Sequence, residues 1–346
     1  MGCQVRHVAH RRCRPARLDL TGRVCGADRG LGRPPLKPAV SIVIPTWNAG
    51  TRLDEVLDAL AAQDGDFGCE VIAVDSGSTD GTRQRLRRRG ARVVEIPAEG
   101  FNHGATRNEG LALARGEFAV LLVQDAVPVS PAWLQALVAP LLQDDHVAGS
   151  FARQCPAPGA SRLTIEYLSR WIAAQLEPRI VGPLTEGQYD AMLPSERLVA
   201  CAFDNVCACI RLQVWRSHPF RRTSIAEDLE WAREVLLAGY KLAYAADAVV
   251  SHSHERPVTY ELQRTYLVHQ RLHALFGLTT IPSLPALLRS IAVTVPANLH
   301  LAARETTGRL RASIRNAALG VAVPVGQYLG ARSSRDDRAW LRTGRI

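Results

Sequence analysis

Between residues 40 and 125 the chain repeats one pattern, in which a strand-like apolar run leads into a cluster of polar residues. Continuous apolar runs of this length are typical of strands that are buried on both faces, as in a parallel sheet. Ligands of such sheets bind beyond the carboxyl ends of the strands. The polar residues that follow the runs are therefore candidates for a binding site. The predicted strands are Val40–Pro45, Glu70–Val74, Arg92–Ile96 and Phe118–Val123.

Helical patterns alternate with these strands. The apolar positions Leu53, Val56, Leu57 and Leu60 recur at helical spacing and predict an amphipathic helix over residues 51–63. Such strand–helix alternation predicts a doubly wound α/β sheet. Further helices are predicted over residues 82–89, 108–114, 131–142, 161–176 and 226–238, and further strands over 201–210, 241–244 and 248–251.

By composition the chain divides into three segments. Residues 1–37 are rich in Arg, Gly and Pro without periodicity and are predicted to be disordered. Residues 38–255 carry the α/β pattern, interrupted by a Pro- and Gly-containing stretch, residues 178–197, that is predicted to be a long loop. Residues 256–346 are predicted to form a helical, basic extension with breaks at Pro282, Pro285, Pro296 and Pro324.

The net charge of +9 is unevenly distributed. Residues 1–37 hold nine Lys or Arg against two acids, and residues 256–346 hold thirteen Arg against four acids, so the body between them is acidic. A nucleic-acid-binding protein needs a basic face on its folded body, and this distribution argues against one. Basic ends fit an anionic membrane surface, or they are simply solvated.

The cysteines and the apolar runs of the sequence indicate the cellular compartment of the protein. The eight cysteines form no CxxC pair, so no structural zinc site is predicted, and unpaired thiols fit a reducing cytoplasm. No apolar leader follows the N-terminus, and no apolar run reaches the length of a membrane-spanning helix without interruption. We expect a cytoplasmic protein whose basic extension binds peripherally to the inner face of the plasma membrane; alternatively, the extension caps the sheet or forms a dimer contact.

Several polar residues at the strand ends have two roles open to them. Asp75 can accept the imide N–H of uracil or thymine in a site that excludes water, or form a turn ahead of a helix at Thr82. Arg107 can offer paired N–H donors to a diphosphate, or form a salt bridge with Glu109 or with a neighbouring helix. Asn48 can contact a nucleotide at its strand end, or cap the helix that follows.

Four motifs occur in an order that resembles the family 2 glycosyltransferases, over roughly residues 38–255. The resemblance implies the GT-A nucleotide-sugar-binding fold, with a doubly wound, mixed, mostly parallel sheet, here followed by a C-terminal helical extension. Within the family, the motifs look most like those of bacterial rhamnosyltransferases. They are Val74–Asp80 (VDSGSTD), Phe101–Asn108 (FNHGATRN), Gln124–Ala126 (QDA) and Ala226–Trp231 (AEDLEW).

The resemblance also implies a divalent cation, Mg²⁺ or Mn²⁺, on the diphosphate of the sugar nucleotide. The Asp-x-Asp typical of GT-A enzymes is replaced by Val123-Gln124-Asp125, so only the last carboxylate remains. Mg²⁺ needs few protein ligands besides phosphate and water, and an imidazole from His252 or His254 would suit Mn²⁺ better. The two histidines share a face of the strand end, which permits a joint role; alternatively, they only end the strand.

Asp228 is the predicted catalytic base. By spacing alone, Glu227-Asp228 is more ordinarily an acidic pair at the start of a helix, where the helix dipole stabilises it. In the family that the chain resembles, the Asp of this motif takes the proton from the acceptor hydroxyl, and the resemblance assigns that role to Asp228. The predicted donor-nucleotide contacts are Pro45, Thr46, Asn48, Asp75, Ser76 and Arg107.

The predicted function is inverting transfer of a sugar, rhamnose from TDP-rhamnose, to a hydroxyl of a glycan or lipid-linked acceptor in cell-surface polysaccharide synthesis. One alternative keeps the fold and uses a UDP-hexose or GDP-mannose donor. Another is a catalytically silent nucleotide-binding or membrane-scaffold protein, since the metal triplet is incomplete. Neither the GxGxxG of dinucleotide-dependent oxidoreductases nor a P-loop is present. Weaker candidates for acceptor contacts are Asp204, Asn205 and Trp231, which is equally a candidate core residue.

Overall fold

A computed structural model describes residues 39–333 except Asp66 and Ser224, so the predicted disorder of residues 1–37 lies outside the described residues. Within that range, nine strands form one sheet. They are β1 Val40–Thr46, β2 Cys69–Asp75, β3 Arg92–Glu95, β4 Phe118–Leu122, β5 Val127–Pro128, β6 Val147–Cys155, β7 Arg179–Val181, β8 Cys207–Arg211 and β9 Lys241–Ser251.

Helices cover both faces of the sheet and form the C-terminal part of the described chain. They are α1 Arg52–Ala61, α2 Thr82–Arg88, α3 His103–Ala112, α4 Trp133–Gln143, α5 Arg162–Ser169, α6 Glu186–Ala191, α7 Pro194–Ala200, α8 Leu212–Ser217, α9 Glu227–Leu237, α10 Val258–Phe276, α11 Leu284–Ala303 and α12 Arg309–Gly330.

The strand order is β3-β2-β1-β4-β8-β6-β9-β5, with β7 paired to β9 beside this path. Strands β3, β2, β1 and β4 are parallel, as are β6 and β9. Strand β8 runs antiparallel to both β4 and β6 and joins the two parallel groups. The predicted α/β fold with a mixed sheet is therefore confirmed.

The sheet is buried on both faces, as its continuous apolar runs predict. Successive side chains of a strand point to opposite faces, so Val43 enters one core while Ile42 and Ile44 enter the other. Leu111 of α3 packs in the first core, and Leu53 of α1 packs in the second. With both faces covered, only the strand ends are left to carry an open polar site.

The parallel register collects the polar strand ends at one edge. Thr46 at the end of β1 lies opposite Asp75 at the end of β2, and Asp75 lies opposite Glu95 of β3. Strand β4 pairs with the other side of β1 and delivers Asp125 just beyond its end. This edge is where the sequence places its candidate donor residues.

Several predicted boundaries are wrong, each for a local reason. Helix α3 begins at His103 instead of residue 108, because the side chain of Asn102 caps it by accepting a hydrogen bond from Ala105 N at 3.1 Å. The predicted helix over residues 161–176 ends at Ser169. The predicted loop over residues 178–197 instead contains β7, α6 and α7; α6 has a capping box, and α7 begins at a proline.

The far half of the sheet also departs from the prediction. Strand β6 is not predicted at all, and the strand predicted over residues 201–210 begins only at Cys207. The two strands predicted over residues 241–251 are one continuous strand, β9, whose pairing with β6 is interrupted by register shifts. The last residues of the two strands, Cys155 of β6 and Ser251 of β9, are paired, so the two strand ends lie side by side.

The described part of the C-terminal extension, which ends at Ser333, is helical, as predicted, but Pro296 and Pro324 lie inside α11 and α12 and do not break them. The two helices pack closely. The side-chain amides of Asn298 and Asn316 each donate to the other's backbone carbonyl at 3.1 Å. Gly320 lies so near Val295 that a Cβ there would come within 2.9 Å of it.

Because Pro296 does not interrupt it, α11 is one helix of 20 residues that carries a single charge, Arg289. By length and composition it could cross a membrane, which corrects the expectation that no run reaches that length. Its outer side chains, such as Leu288 and Val293, are exposed. Helix α12 is tied to the sheet by an ion pair of 2.9 Å between Arg315 and Glu255, which follows β9.

Candidate active site

The ends of β1 and β2 are joined by the carboxylate of Asp75, which is fully buried. One oxygen accepts from Thr46 Oγ1 at 2.9 Å and from Ser78 Oγ at 2.6 Å, and the other accepts from Ser78 N at 2.8 Å. Arg83 Nε lies 3.9 Å from this second oxygen, which is an ion-pair distance but too long for a hydrogen bond. An ionised carboxylate accepts about four hydrogen bonds, so about one acceptor site remains. Asp75 thus both shapes a turn and keeps capacity for one more donor. Ser76 beside it is buried and donates to Thr46 O.

The loop after β1 is fixed by side chains from the neighbouring loops. Asn48 has a positive φ of 43°, its amide oxygen accepts from Thr79 N at 2.8 Å, and its backbone N donates to Ser78 Oγ. Gln124 forms two hydrogen bonds with the backbone of Trp47, 2.8 Å and 3.1 Å long. Gln124, the middle residue of the incomplete metal triplet, therefore has a structural partner. Pro45 stays half-buried at the strand end.

Asp125, His252 and His254 come together at the ends of β4 and β9. Their potential ligand atoms all lie within 4.8 Å of one another. His252 Nε2 is 3.7 Å and His254 Nε2 is 3.4 Å from the nearer oxygen of Asp125. Burial lowers the pKa of both histidines, that of His254 to about 4, against the opposite effect of Asp125. Two neutral imidazoles and a carboxylate form a donor set that suits Mn²⁺ or a similar cation.

Asp228 lies in the first turn of α9, which follows Ala226 in the left-handed conformation. One oxygen of its carboxylate is 2.8 Å from Leu229 N, and the other accepts from Asn205 N at 3.3 Å. Burial, followed by the charges of Glu227 and Asp204, raises the pKa of Asp228 to about 8. A raised pKa is what proton transfer near neutral pH requires of a carboxylate.

Beneath Asp228 lies a buried ion pair. Arg107 NH1 is 3.0 Å from Glu227 Oε1, and both side chains are about 5% exposed. The same oxygen accepts from Asn205 Nδ2 at 3.2 Å, and Arg107 also donates to the carbonyls of His103 and Asn205. Burial alone would raise the pKa of Glu227, but the charge of Arg107 holds it below the ordinary value. The salt-bridge role left open for Arg107 is thus realised with a neighbouring helix, through Glu227 of α9, and not with Glu109.

The three weaker acceptor candidates separate in the structure. Asp204 and Asn205 immediately precede β8, next to Asp228, and Asp204 is half-buried. Trp231 is 1% exposed and packs between Phe203 and Phe220 in the core. No face of its indole is open to an acceptor, so Trp231 is a core residue, which is the alternative left open from the sequence.

The structure therefore brings the predicted residues to two adjoining places. Thr46, Asn48 and Asp75 meet at one, and Asp125 meets the two histidines at the other. Val123 N donates to Val206 O at 3.0 Å, which sets the segment of Asp125 beside the Asp204–Val206 segment that contacts Asp228. Gln154, which accepts from or donates to His252 Nδ1 across 3.0 Å, is not among the predicted residues because β6 is unpredicted.

Known proteins resemble this chain in sequence. The model of the glycosyl transferase family 2 matches residues 41–192. The O-antigen chain rhamnosyltransferase WbaN of Salmonella anatum is 32% identical over 234 residues, which is 66% of this chain and 70% of the relative. The O-antigen chain rhamnosyltransferase RfbN of Salmonella typhimurium is 30% identical over 238 residues, with the same coverage.

A solved structure resembles the chain in fold. It is the mannosyltransferase PcManGT from Pyrobaculum calidifontis in complex with GDP-Man and Mn²⁺, with a TM-score of 0.54 and 20% identity, over 83% of this chain and 86% of that one. Fold and relatives together define a glycosyltransferase, and hence a transferase enzyme. The chain belongs to glycosyl transferase family 2, and the predicted GT-A fold and likeness to rhamnosyltransferases are confirmed.

Proposed function

We propose that this enzyme transfers rhamnose from TDP-rhamnose, with inversion, to a hydroxyl of a glycan or lipid-linked acceptor in cell-surface polysaccharide synthesis. The observation that carries the donor and pathway is the identity of 30% or more to two O-antigen chain rhamnosyltransferases over 70% of their lengths. The site is consistent with it, because candidate nucleotide contacts, a candidate cation site and a carboxylate of raised pKa adjoin one another.

In this proposal Asp228 is the catalytic base. Its ionised carboxylate takes the proton of the acceptor hydroxyl while that oxygen attacks the anomeric carbon of the donor sugar. The bond from that carbon to the nucleotide diphosphate breaks on the opposite face, so one displacement inverts the anomeric centre. Glu227 and Arg107 hold the first turn of α9, and Asn205 N orients the carboxylate of Asp228. Asp204 and Asn205 border the proposed acceptor side.

The donor nucleotide is proposed to lie on the ends of β1 and β2. Asp75 offers its remaining acceptor site to the base, while Thr46 and Ser78 donate to its carboxylate and hold it in place. The buried Ser76 donates in turn to Thr46 O. Asn48 and the exposed backbone around it border the same pocket. Arg107 is buried beneath α9, and we propose for it a positioning role instead of contact with the diphosphate.

Asp125, His252 and His254 fit a divalent cation, since three ligand atoms of suitable chemistry converge. We propose that these side chains hold Mn²⁺ or Mg²⁺. When bound, such an ion neutralises charge on the diphosphate leaving group. The Mn²⁺ in the structure of PcManGT, a protein of similar fold, supports a divalent metal.

The proposed function is tested by calorimetric titration of TDP-rhamnose, UDP-glucose, UDP-galactose and GDP-mannose with and without Mn²⁺ or Mg²⁺. We expect TDP-rhamnose to bind most tightly and only with metal. Asp125→Ala should weaken that binding by about tenfold or more, because a charged ligand of the cation is lost. Asp145→Ala, which removes an exposed carboxylate on the loop before β6, is the matched control and should bind as the parent does.

The other outcomes are equally informative. Tighter binding of a UDP-hexose or of GDP-mannose would replace the proposed donor while keeping the enzyme class. Equal binding in the presence of a chelator would contradict the metal site. Absence of binding by every sugar nucleotide would contradict the proposed pocket at Asp75.

We also propose a cytoplasmic enzyme with an α/β domain of residues 38–255 and an extension of residues 256–346 that docks on an anionic lipid bilayer. The outer faces of α11 and α12 expose Leu288, Val293, Leu310 and Ile314. No acidic residue occurs from Leu284 to Arg304, and arginines flank the apolar face. A two-fold contact between copies through this face would set like charges against each other, whereas anionic headgroups complement them.

Flotation with phosphatidylglycerol and phosphatidylcholine vesicles measures this docking. The parent protein should partition onto the anionic vesicles, and Leu288→Glu/Val293→Glu should lower that partitioning by about tenfold or more, because it puts two charges on the apolar face. Leu142→Glu, at an exposed leucine of α4, is the control. Concentration-dependent dimers without vesicle binding would instead identify a second copy as the partner.

A further inference from the structure

Gln154, at the end of β6, bridges the proposed cation site and the segment beside Asp228. The side chain is 7% exposed. Its Nε2 lies 2.6 Å from Asp204 Oδ2, and its Oε1 lies 3.0 Å from His252 Nδ1. The backbone of β6 holds the same histidine, because His252 N donates to Cys155 O at 2.9 Å. One strand end therefore fixes both the backbone and the ring of His252.

The hydrogen bonds of Asp204 decide which way the Gln154 amide faces. Three N–H groups point at this carboxylate: Gln154 Nε2, Trp171 Nε1 at 3.2 Å and Val206 N at 3.0 Å. An ionised carboxylate only accepts hydrogen bonds. Turning the amide around would set its oxygen against a carboxylate oxygen at 2.6 Å. The NH₂ group must therefore face Asp204, and the amide oxygen must face His252.

This orientation selects one tautomer of His252. An amide oxygen can only accept, so Nδ1 of the neutral imidazole must carry the hydrogen. Nε2 then has no hydrogen and presents its lone pair. That atom lies 3.1 Å from His254 Nε2 and 3.7 Å from Asp125 Oδ1, in the middle of the proposed cation site. The tautomer that binds a cation through Nε2 is thus present before any cation arrives.

We propose that Gln154 is a positioning residue that holds His252 in the Nδ1–H tautomer and so presents Nε2 to a divalent cation. The role rests on the proposed function in that it takes the three side chains as the metal site. A partner on the remote nitrogen of a ligating histidine typically contributes 10–100-fold to metal affinity, by fixing the ring and its tautomer. Through Asp204 the same amide joins the cation site to the segment that contacts Asp228.

Two substitutions separate the functions of the amide. Gln154→Met has similar length but neither accepts nor donates a hydrogen bond, so it frees the ring of His252. Gln154→Glu still offers an oxygen to Nδ1–H, whether the new carboxyl is ionised or protonated. Gln154, His252 and His254 line one cleft, to which α12 contributes Gln327, and Gln327→Met is the matched control.

The first readout is the ¹⁵N spectrum of histidine-labelled, metal-free protein, in which the two tautomers of a neutral imidazole are distinct; His252→Asn assigns the signal. The second readout is Mn²⁺ affinity, from the electron paramagnetic resonance signal of free Mn²⁺. We expect the Nδ1–H pattern in the parent, in Gln154→Glu and in Gln327→Met. In Gln154→Met we expect mixed tautomers and about 10–100-fold weaker Mn²⁺ binding.

A parent protein with Nε2–H on His252 would overturn the proposal, as would unchanged tautomer and Mn²⁺ affinity in Gln154→Met. If that variant does not fold, Asp204→Asn provides the same test, because a side-chain amide at that position lets the Gln154 amide turn and should mix the tautomers. The tautomer is read without donor or metal. Absence of the Nδ1–H pattern from the parent protein therefore contradicts this inference alone, and failure of donor binding contradicts the proposed function alone.

Discussion

Asp228→Asn is expected to lower the turnover number by about 10³-fold while leaving the affinity for the sugar nucleotide within about twofold of the parent. The substitution keeps the shape of the side chain and replaces the carboxylate that takes the proton with an amide, which cannot act as a base. Donor contacts are proposed at the ends of β1 and β2, on the other side of Asp125, so they should not change. Turnover is measured by release of the nucleoside diphosphate, and affinity by calorimetry.

The role of Asp228 as the base also predicts how kcat/KM of the parent enzyme depends on pH. Burial and the charges of Glu227 and Asp204 raise the pKa of Asp228 to about 8, and the base acts only in its ionised form. We therefore expect kcat/KM to rise with pH up to about 8 and to level off above it. An ordinary aspartate would be fully ionised by pH 6 and would give no such rise.

Glu230→Gln is the control for these experiments, since this acid also lies in the first turn of α9 but pairs with Arg271. It should retain most of the turnover and the same pH profile. Comparable losses in Asp228→Asn and Glu230→Gln would indicate damage to α9 instead of loss of a base. A kcat/KM that is constant from pH 6 to 9 would contradict the raised pKa.

Arg107→Met is expected to lower the free energy of unfolding by about 3–5 kcal/mol, because it leaves the buried carboxylate of Glu227 without its partner. Both side chains of the pair are almost fully inaccessible to water, so solvent cannot replace the lost interaction. The midpoint and slope of urea-induced unfolding measure the change. Arg115→Met, which removes an exposed arginine paired with Glu70, should cost less than about 1 kcal/mol.

The double variant Arg107→Met/Glu227→Gln identifies the cause. It removes the uncompensated charge but keeps an oxygen that accepts from Asn205 Nδ2, so most of the lost stability should return. Its affinity for the sugar nucleotide should then match that of the parent. If stability returned while donor affinity stayed much weaker, Arg107 would bind the diphosphate, which is the role first considered from the sequence.

The sequence predicted the first half of the fold well because each strand there is a continuous apolar run with a polar end. Strand β1 is buried on both faces and therefore appears as a continuous apolar run. Helix α1 is buried on one face and therefore shows apolar residues at helical spacing. Strand β6 was missed because Gly149, Ser150 and Arg153 interrupt its apolar run. Its burial depends on pairing with β8 and β9, which are distant along the chain.

The candidate site likewise contains residues that the sequence could predict and residues that it could not. Asp75, Asp125 and Asp228 stand in motifs, so the resemblance could assign them roles. The partner of Arg107 could not be predicted, because Glu227 is 120 positions away and only the packing of α3 against the start of α9 brings the two together. Gln154 carries no motif, and only the hydrogen bonds of Asp204 reveal how its amide faces.

The ion pair between Arg315 and Glu255 connects the extension to the proposed cation site. Glu255 directly follows His254, and its other oxygen accepts hydrogen bonds from Ser161 and Thr164 of the segment that begins α5. A displacement of α12 at a lipid surface would therefore move Glu255, which is one residue from the proposed cation ligand His254. Thermodynamic reciprocity then requires that sugar-nucleotide loading change adhesion to the bilayer by the same factor as adhesion changes loading. Such an enzyme would respond both to its binding at the bilayer and to the sugar nucleotide in its site.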